Sequence, residues 1–183
     1  MKFTELISCF TDYSEATFDV HSDPAPYSVF HFTIELQGIP AEWEQEQIEE
    51  ALINETGRIP VGCICGGVVL GKYICSIGGN TQEYADAIDG KLLTVVSQFM
   101  GADKPYLPET DLVYICDFSL LEDVDKNNVQ QLISELSDRL YAHLHICPDV
   151  IVISPNALPR PNEFELFKEA GYTELDETGW YYK

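Results

Sequence analysis

Apolar and polar residues alternate from Tyr27 to Leu36 (YSVFHFTIEL), and the stretch is rich in β-formers, so it predicts a strand. Pro40 then stands where a first helical turn would begin. From Ala41 to Asn54, Trp43, Ile48, Ala51 and Leu52 recur at roughly helical spacing. Pro60 to Ile77 is a β-rich stretch broken by Gly66, Gly67 and Gly71, which suits a hairpin or a bent strand pair. Asn80 with Glu83 resembles a capping box, and Tyr84, Ile88, Leu92, Val95, Val96 and Phe99 follow at helical intervals across Gly90. Asp111 to Leu120 predicts a strand. Val129, Leu132, Ile133, Leu136, Leu140 and Leu144 trace the cleanest amphipathic helix in the chain, with Asn127 or Asn128 as its cap. Asp149 to Ser154 (DVIVIS) is short and continuously apolar, the pattern of a buried central strand. Pro161 opens a last helix through Phe164, Phe167 and Ala170 that ends at Gly171, and Tyr172 to Tyr182 reads as a terminal strand. Strands alternating with helices predict an α/β fold in which helices cover a mixed sheet, a three-layer αβα arrangement. With no low-complexity tract, polar linker or internal repeat, residues 1–183 read as one domain. The pattern leaves the topology of the acidic portion 1–110 open.

The 73 residues from Asp111 to Lys183 resemble the C-terminal half of the GNAT acyltransferase fold. The predicted order is a strand, a turn, a long helix, a buried strand, a helix ending in a glycine-aromatic pair, and a last strand. Leu166-Phe167-Lys168-Glu169-Ala170-Gly171-Tyr172 is similar to that family's Leu-Tyr-Glu-Lys-x-Gly-Phe helix ending. The resemblance implies a coenzyme A site at a turn of the type Arg/Gln-x-x-Gly-x-Gly/Ala, whose backbone N–H groups face a pyrophosphate at a helix N-terminus. The corresponding stretch here is Val124-Asp125-Lys126-Asn127-Asn128-Val129, with Asn127 and Val129 at the glycine positions. Glu122, Asp123 and Asp125 would each cost a phosphate placed there about 1 kcal/mol or more by like-charge repulsion. The family's general-acid tyrosine falls on Phe167, which has no proton to give. The departures imply a scaffold without the activity, and hence no cofactor.

Leu, Ile, Val and Phe make up 53 of the 183 residues, well above the level at which chains fail to bury a core. The opening Met1-Lys2-Phe3-Thr4-Glu5 lacks the layout of a secretory signal. The longest uncharged apolar run, Ile59 to Gly71, has 13 residues, too few to cross a bilayer. The six cysteines, Cys9, Cys63, Cys65, Cys75, Cys116 and Cys147, would allow three disulfides. In a chain without a secretion signal, reduced thiols are the better reading. Cys63, Cys65, Cys75 and Cys116 sit in apolar runs that read as strand, where cysteine acts as a small hydrophobe. A cytoplasmic protein is expected.

Other chemical signals reduce to simpler explanations. Gly66-x-x-x-x-Gly71-Lys72 spells most of a Walker A loop, but position 73 is Tyr where Ser or Thr must hold magnesium, and the flanking residues read as strand. His143-x-His145-x-Cys147 offers three ligand types at a helix end, where they would point in different directions, so no metal site is expected. No Gly-x-Ser-x-Gly elbow is present. In so acidic a chain no single carboxylate pair is informative for acid–base work.

Charge changes the picture most. The chain has 31 acidic and 10 basic side chains, a net of −21. Residues 1–57 alone hold 12 acids against one base, Lys2. Such a surface repels phosphate backbones and anionic membranes, which excludes direct nucleic-acid or membrane binding through a basic patch. It exceeds what solubility requires, and a partner's positive surface would offset its self-repulsion, the alternatives being a high-salt habitat or simple drift. Glu42, Glu46, Glu49 and Glu50 follow i, i+4, i+7, i+8 spacing on the predicted helix 41–54, one stripe of carboxylates that imitates phosphate spacing. With Glu122, Asp123 and Asp125 they are the expected partner-binding residues. The expectation is a non-catalytic acidic inhibitor or decoy. It would occupy the basic surface of a nucleic-acid-binding or nuclease-type protein, as phage anti-defence and toxin-immunity proteins do. The alternative is a CoA-dependent N-acyltransferase with an atypical cofactor loop. The oligomeric state is left open.

Overall fold

A computed structural model describes residues 3–15, 28–42, 58–88, 90–121, 124–157, 164–176 and 178–183. In chain order the elements are β1 (Phe3–Glu15), β2 (Val29–Pro40), β3 (Ile59–Leu70), α1 (Gly71–Ser76), α2 (Thr81–Ile88), α3 (Gly90–Phe99) and β4 (Asp111–Leu120). They continue with α4 (Lys126–Ser134), α5 (Leu136–Leu144), β5 (Val150–Ile153), α6 (Phe164–Glu169), β6 (Thr173–Glu174) and β7 (Tyr181–Tyr182). The strands form one seven-stranded sheet in the order β1-β2-β3-β4-β5-β7-β6. All neighbours are antiparallel except β4 and β5, which run parallel and are joined by α4 and α5. The fold is therefore α/β, with helices covering a mixed sheet.

Two apolar cores explain the layering. On one face Ile74 of α1, Ala85 of α2 and Leu92, Val95, Val96 and Phe99 of α3 pack on Val29, Val69, Leu112, Tyr114, Val150 and Val152. On the other, Val129, Leu132, Ile133, Leu136, Leu140, Leu166 and Phe167 from α4, α5 and α6 pack on Phe32, Ile34, Leu36, Ile64, Val113, Ile115, Phe118, Ile151 and Ile153. In β5, Val150 and Val152 enter one core while Ile151 and Ile153 enter the other. All four are buried, because a strand covered on both faces has no solvent side to make polar. Asp111 to Leu120 is a strand as the pattern predicts, and Asn80 Oδ1 caps α2 by accepting from the N–H of Gln82 at 2.9 Å.

Several expectations are corrected. Ile59–Leu70 is one strand, paired with β2 on one side and β4 on the other, and Gly71–Ser76 is helix, so there is no hairpin. Gly66 sits inside the strand because a Cβ there would strike the Tyr114 carbonyl oxygen and the Phe32 ring. The glycine serves close packing, not a turn. Cys75 accordingly lies in α1 and not in a strand. The long amphipathic helix is interrupted at Glu135 into α4 and α5, and its cap is Asp125, not Asn127 or Asn128. Tyr172 to Tyr182 is not one strand. Asp176 and Gly179 take positive φ, 45° and 79°, and the chain turns back as the antiparallel pair β6 and β7. Pro40 ends β2 instead of opening a helix, and Ala41 and Glu42 form a bend. The rest of the helix expected over 41–54, like Pro161, lies outside the described residues.

Candidate functional site

Of the seven carboxylates expected to bind a partner, Glu46, Glu49, Glu50, Glu122 and Asp123 lie outside the described residues. Glu42 is exposed just beyond the end of β2. Asp125 stands at the N-terminus of α4, where its Oδ1 accepts from the N–H of Asn127 at 2.9 Å and its carbonyl accepts from the N–H of Val129 at 3.2 Å. The helix end that the GNAT comparison assigns to a pyrophosphate is thus capped from within by a carboxylate. Phe167 is fully buried, edge-on to Phe118 at 5.8 Å and to Tyr172 at 5.1 Å between ring centres. Nothing at that position faces solvent.

Three basic side chains, Lys72, Arg139 and Lys168, are paired with the protein's own acids. Lys72, at the start of α1, reaches Asp149 at 2.7 Å and Asp111 at 3.3 Å. Asp149 also accepts from the N–H of Asp111 at 2.8 Å, so the knot ties α1 to the starts of β4 and β5. The Asp149 hydrogen bond raises the pKa of Lys72 against a smaller effect of burial. For Asp149, burial acts to raise the pKa, but the Lys72 ammonium and the Asp111 amide together hold it below the usual value. Arg139 Nη2 bonds Glu135 at 2.7 Å, one turn earlier on the same helical stretch. Lys168 lies 3.3 Å from Glu165 and 3.9 Å from Glu174.

The remaining sequence candidates separate in space or change character. Gly66 to Leu70 is strand, so the Walker-like spacing forms no phosphate loop even though helix α1 follows it. His143 is in the last turn of α5, His145 takes the left-handed cap position with φ 56°, and Cys147 is exposed beyond it. Among the described residues, the group whose ligand atoms converge is a different one: Cys63, Cys65 and Asp117, all within 4.8 Å of one another. Cys63 and Cys65 are free thiols, both half-buried. Burial pushes the Cys65 thiol up to about 11, with the Thr33 hydroxyl working against it and Cys63 and Asp117 adding to it. The Cys-x-Cys spacing was the available signal, since i and i+2 on a strand share a face. Reading the cysteines as small hydrophobes concealed it.

Among the described residues two cavities border the sheet face covered by α1, α2 and α3. One of 230 Å³, where β4 and β5 part, is lined by Lys91, Thr94, Tyr114, Cys116, Ser154, Asn156 and Trp180. The other, 340 Å³, lies between α2 and α3 against Pro108. Among the described residues no helix is long and apolar enough to cross a membrane. Set beside known proteins, the chain matches no protein-family model, no curated protein and no solved structure.

Proposed function

We propose that this protein is a non-catalytic acidic binder, an inhibitor or decoy that occupies the basic surface of a nucleic-acid-binding or nucleic-acid-cleaving protein. The observation that carries the reading is the charge imbalance, 31 acids against 10 bases for a net of −21. Three of those bases, Lys72, Arg139 and Lys168, are paired with carboxylates of the protein itself, Asp111, Asp149, Glu135, Glu165 and Glu174. A partner's positive groove offsets the resulting self-repulsion. The acyltransferase alternative is disfavoured by the Asp125 cap and the buried Phe167. We further propose that the chain uses a GNAT-like scaffold without that chemistry. What supports this is the order β4, α4–α5, β5, then α6 followed by Gly171-Tyr172, then the last strands.

The test is capture of partners from a bacterial lysate, released with rising salt. Binding of this kind weakens as the Debye length falls from about 10 Å at 0.1 M to about 3 Å at 1 M. The captured protein's polyanionic ligand competes for the same surface. Reversal of Glu42, Glu46, Glu49 and Glu50 to Lys weakens the complex by far more than tenfold, whereas an unchanged affinity for the true partner removes this face from the interface. Low-micromolar binding of acetyl-CoA in a calorimeter would overturn the reading in favour of the enzyme.

A further inference from the structure

We propose that Cys63, Cys65 and Asp117 form a binding site for a thiophilic divalent cation, zinc in the first place. The site is built by sheet pairing. Cys63 and Cys65 lie two apart on β3, Asp117 and Ser119 stand opposite Cys65 and Cys63 on β4, and Thr33 stands opposite Cys65 on β2. The two sulfur atoms are 3.9 Å apart, and Cys63 Sγ is 3.9 Å from Asp117 Oδ2. Two thiolates at about 2.3 Å from a tetrahedral zinc are about 3.8 Å apart, and a carboxylate oxygen is about 3.5 Å from either. The sulfur pair already has the spacing of two zinc thiolates, and Asp117, within 4.8 Å of both sulfurs, closes the site with a shift of about 0.4 Å toward Cys63 and at most about 1.3 Å toward Cys65.

Each sulfur also has a hydroxyl partner: Thr33 donates to Cys65 Sγ at 3.6 Å, and Ser119 Oγ lies 3.1 Å from Cys63 Sγ. Hydroxyls so placed orient metal-bound thiolates and spread their charge. A disulfide fits less well, since strand residues two apart hold their Cα atoms about 6.6 Å from each other, near the upper limit that a disulfide bridges. The mixed sulfur and oxygen donors exclude magnesium and calcium, which take all-oxygen shells. On binding, the two thiol protons leave to solvent as two Zn–S bonds and one Zn–O bond form, with water in the fourth position.

Cobalt(II) titrated into the reduced, metal-free chain under anaerobic conditions reads the site directly. The expected result is a sulfur-to-cobalt charge-transfer band that saturates at one equivalent, is bleached by zinc, and is unmoved by excess magnesium or calcium. Cys63→Ser with Cys65→Ser abolishes the band. Asp117→Asn keeps it but weakens affinity by more than the roughly 10–100-fold that loss of an outer-sphere partner costs. Cys147→Ser, at an exposed cysteine, leaves it unchanged. Far-UV circular dichroism shows whether the double variant is folded. If it is not, X-ray absorption of the zinc-loaded wild-type chain decides, with two sulfur neighbours expected. No charge-transfer band in the wild type, a band that survives in a folded double variant, or a zinc shell without two sulfurs overturns the proposal.

Discussion

Truncating Phe167 to Ala tests the packing on which both the fold and the exclusion of a general acid at that position depend. The ring has no exposed surface and meets Phe118 and Tyr172 edge-on, with interplanar angles of 79° and 85°. Removing a buried Phe costs about 3–5 kcal/mol. Each edge-to-face pair contributes about 0.5–1.5 kcal/mol beyond area burial, which places this site in the upper half of the range. With a urea slope of about 2 kcal/mol/M, a loss of about 4 kcal/mol moves the unfolding midpoint down by about 2 M. That is a large part of the 5–15 kcal/mol typical of a domain. Equilibrium urea unfolding followed by far-UV circular dichroism measures it. Phe167→Leu, which keeps most of the volume but loses both ring pairs, costs about 1–3 kcal/mol, less than the truncation to Ala. Phe167→Tyr places a hydroxyl among apolar groups, costs about 1–3 kcal/mol, and confers no acyl transfer. A loss below about 1 kcal/mol for Phe167→Ala would refute the reasoning. The ring would then not be held between sheet and hairpin, and a tyrosine there would be free to reach a substrate.

Two further outcomes follow from single groups. Asp125→Ala removes the α4 cap and costs about 1 kcal/mol, a fall in Tm of about 2–4 °C by calorimetry, while Asp125→Asn restores most of it. Burial pushes the Tyr172 phenol well above its ordinary value of 10, so the folded chain keeps a proton that the unfolded chain releases. Its contribution is therefore complete below pH 10 and is lost as the pH rises above that value. In urea midpoints measured from pH 8 to pH 11, Tyr172→Phe shows a shallower alkaline decline than the wild type, and parallel curves would refute the assignment.

Elements whose signal is local were legible in the sequence. The run DVIVIS specifies a strand with both faces covered, because no alternation leaves no solvent face, and β5 is that strand. Asn80 caps α2 from its own sequence neighbourhood, and Asp111 to Leu120 matches β4 residue for residue. Glycine is where local reading fails. Gly66 carries the same signal whether it turns the chain or admits a neighbouring carbonyl, and only the approach of Tyr114 from β4 distinguishes the two. The cap of α4 likewise depends on where the first turn docks. Val124 is buried in the core there, which brings Asp125 to the cap ahead of Asn127.

The acidity was readable at once, because net charge is a sum over residues and needs no geometry. Which acids are neutralised locally needs geometry: Lys72 finds Asp149 across 77 positions of sequence. The cysteine cluster depends on pairing more completely still. Cys-x-Cys puts two sulfurs on one face of a strand, but Asp117 lies 54 positions from Cys63 and Thr33 lies 32 from Cys65. Periodicity along a chain sets which face a side chain takes. Which strand lies beside it, and in what register, is settled by long-range packing of the whole sheet, and that is what brings side chains from β2, β3 and β4 together around one point.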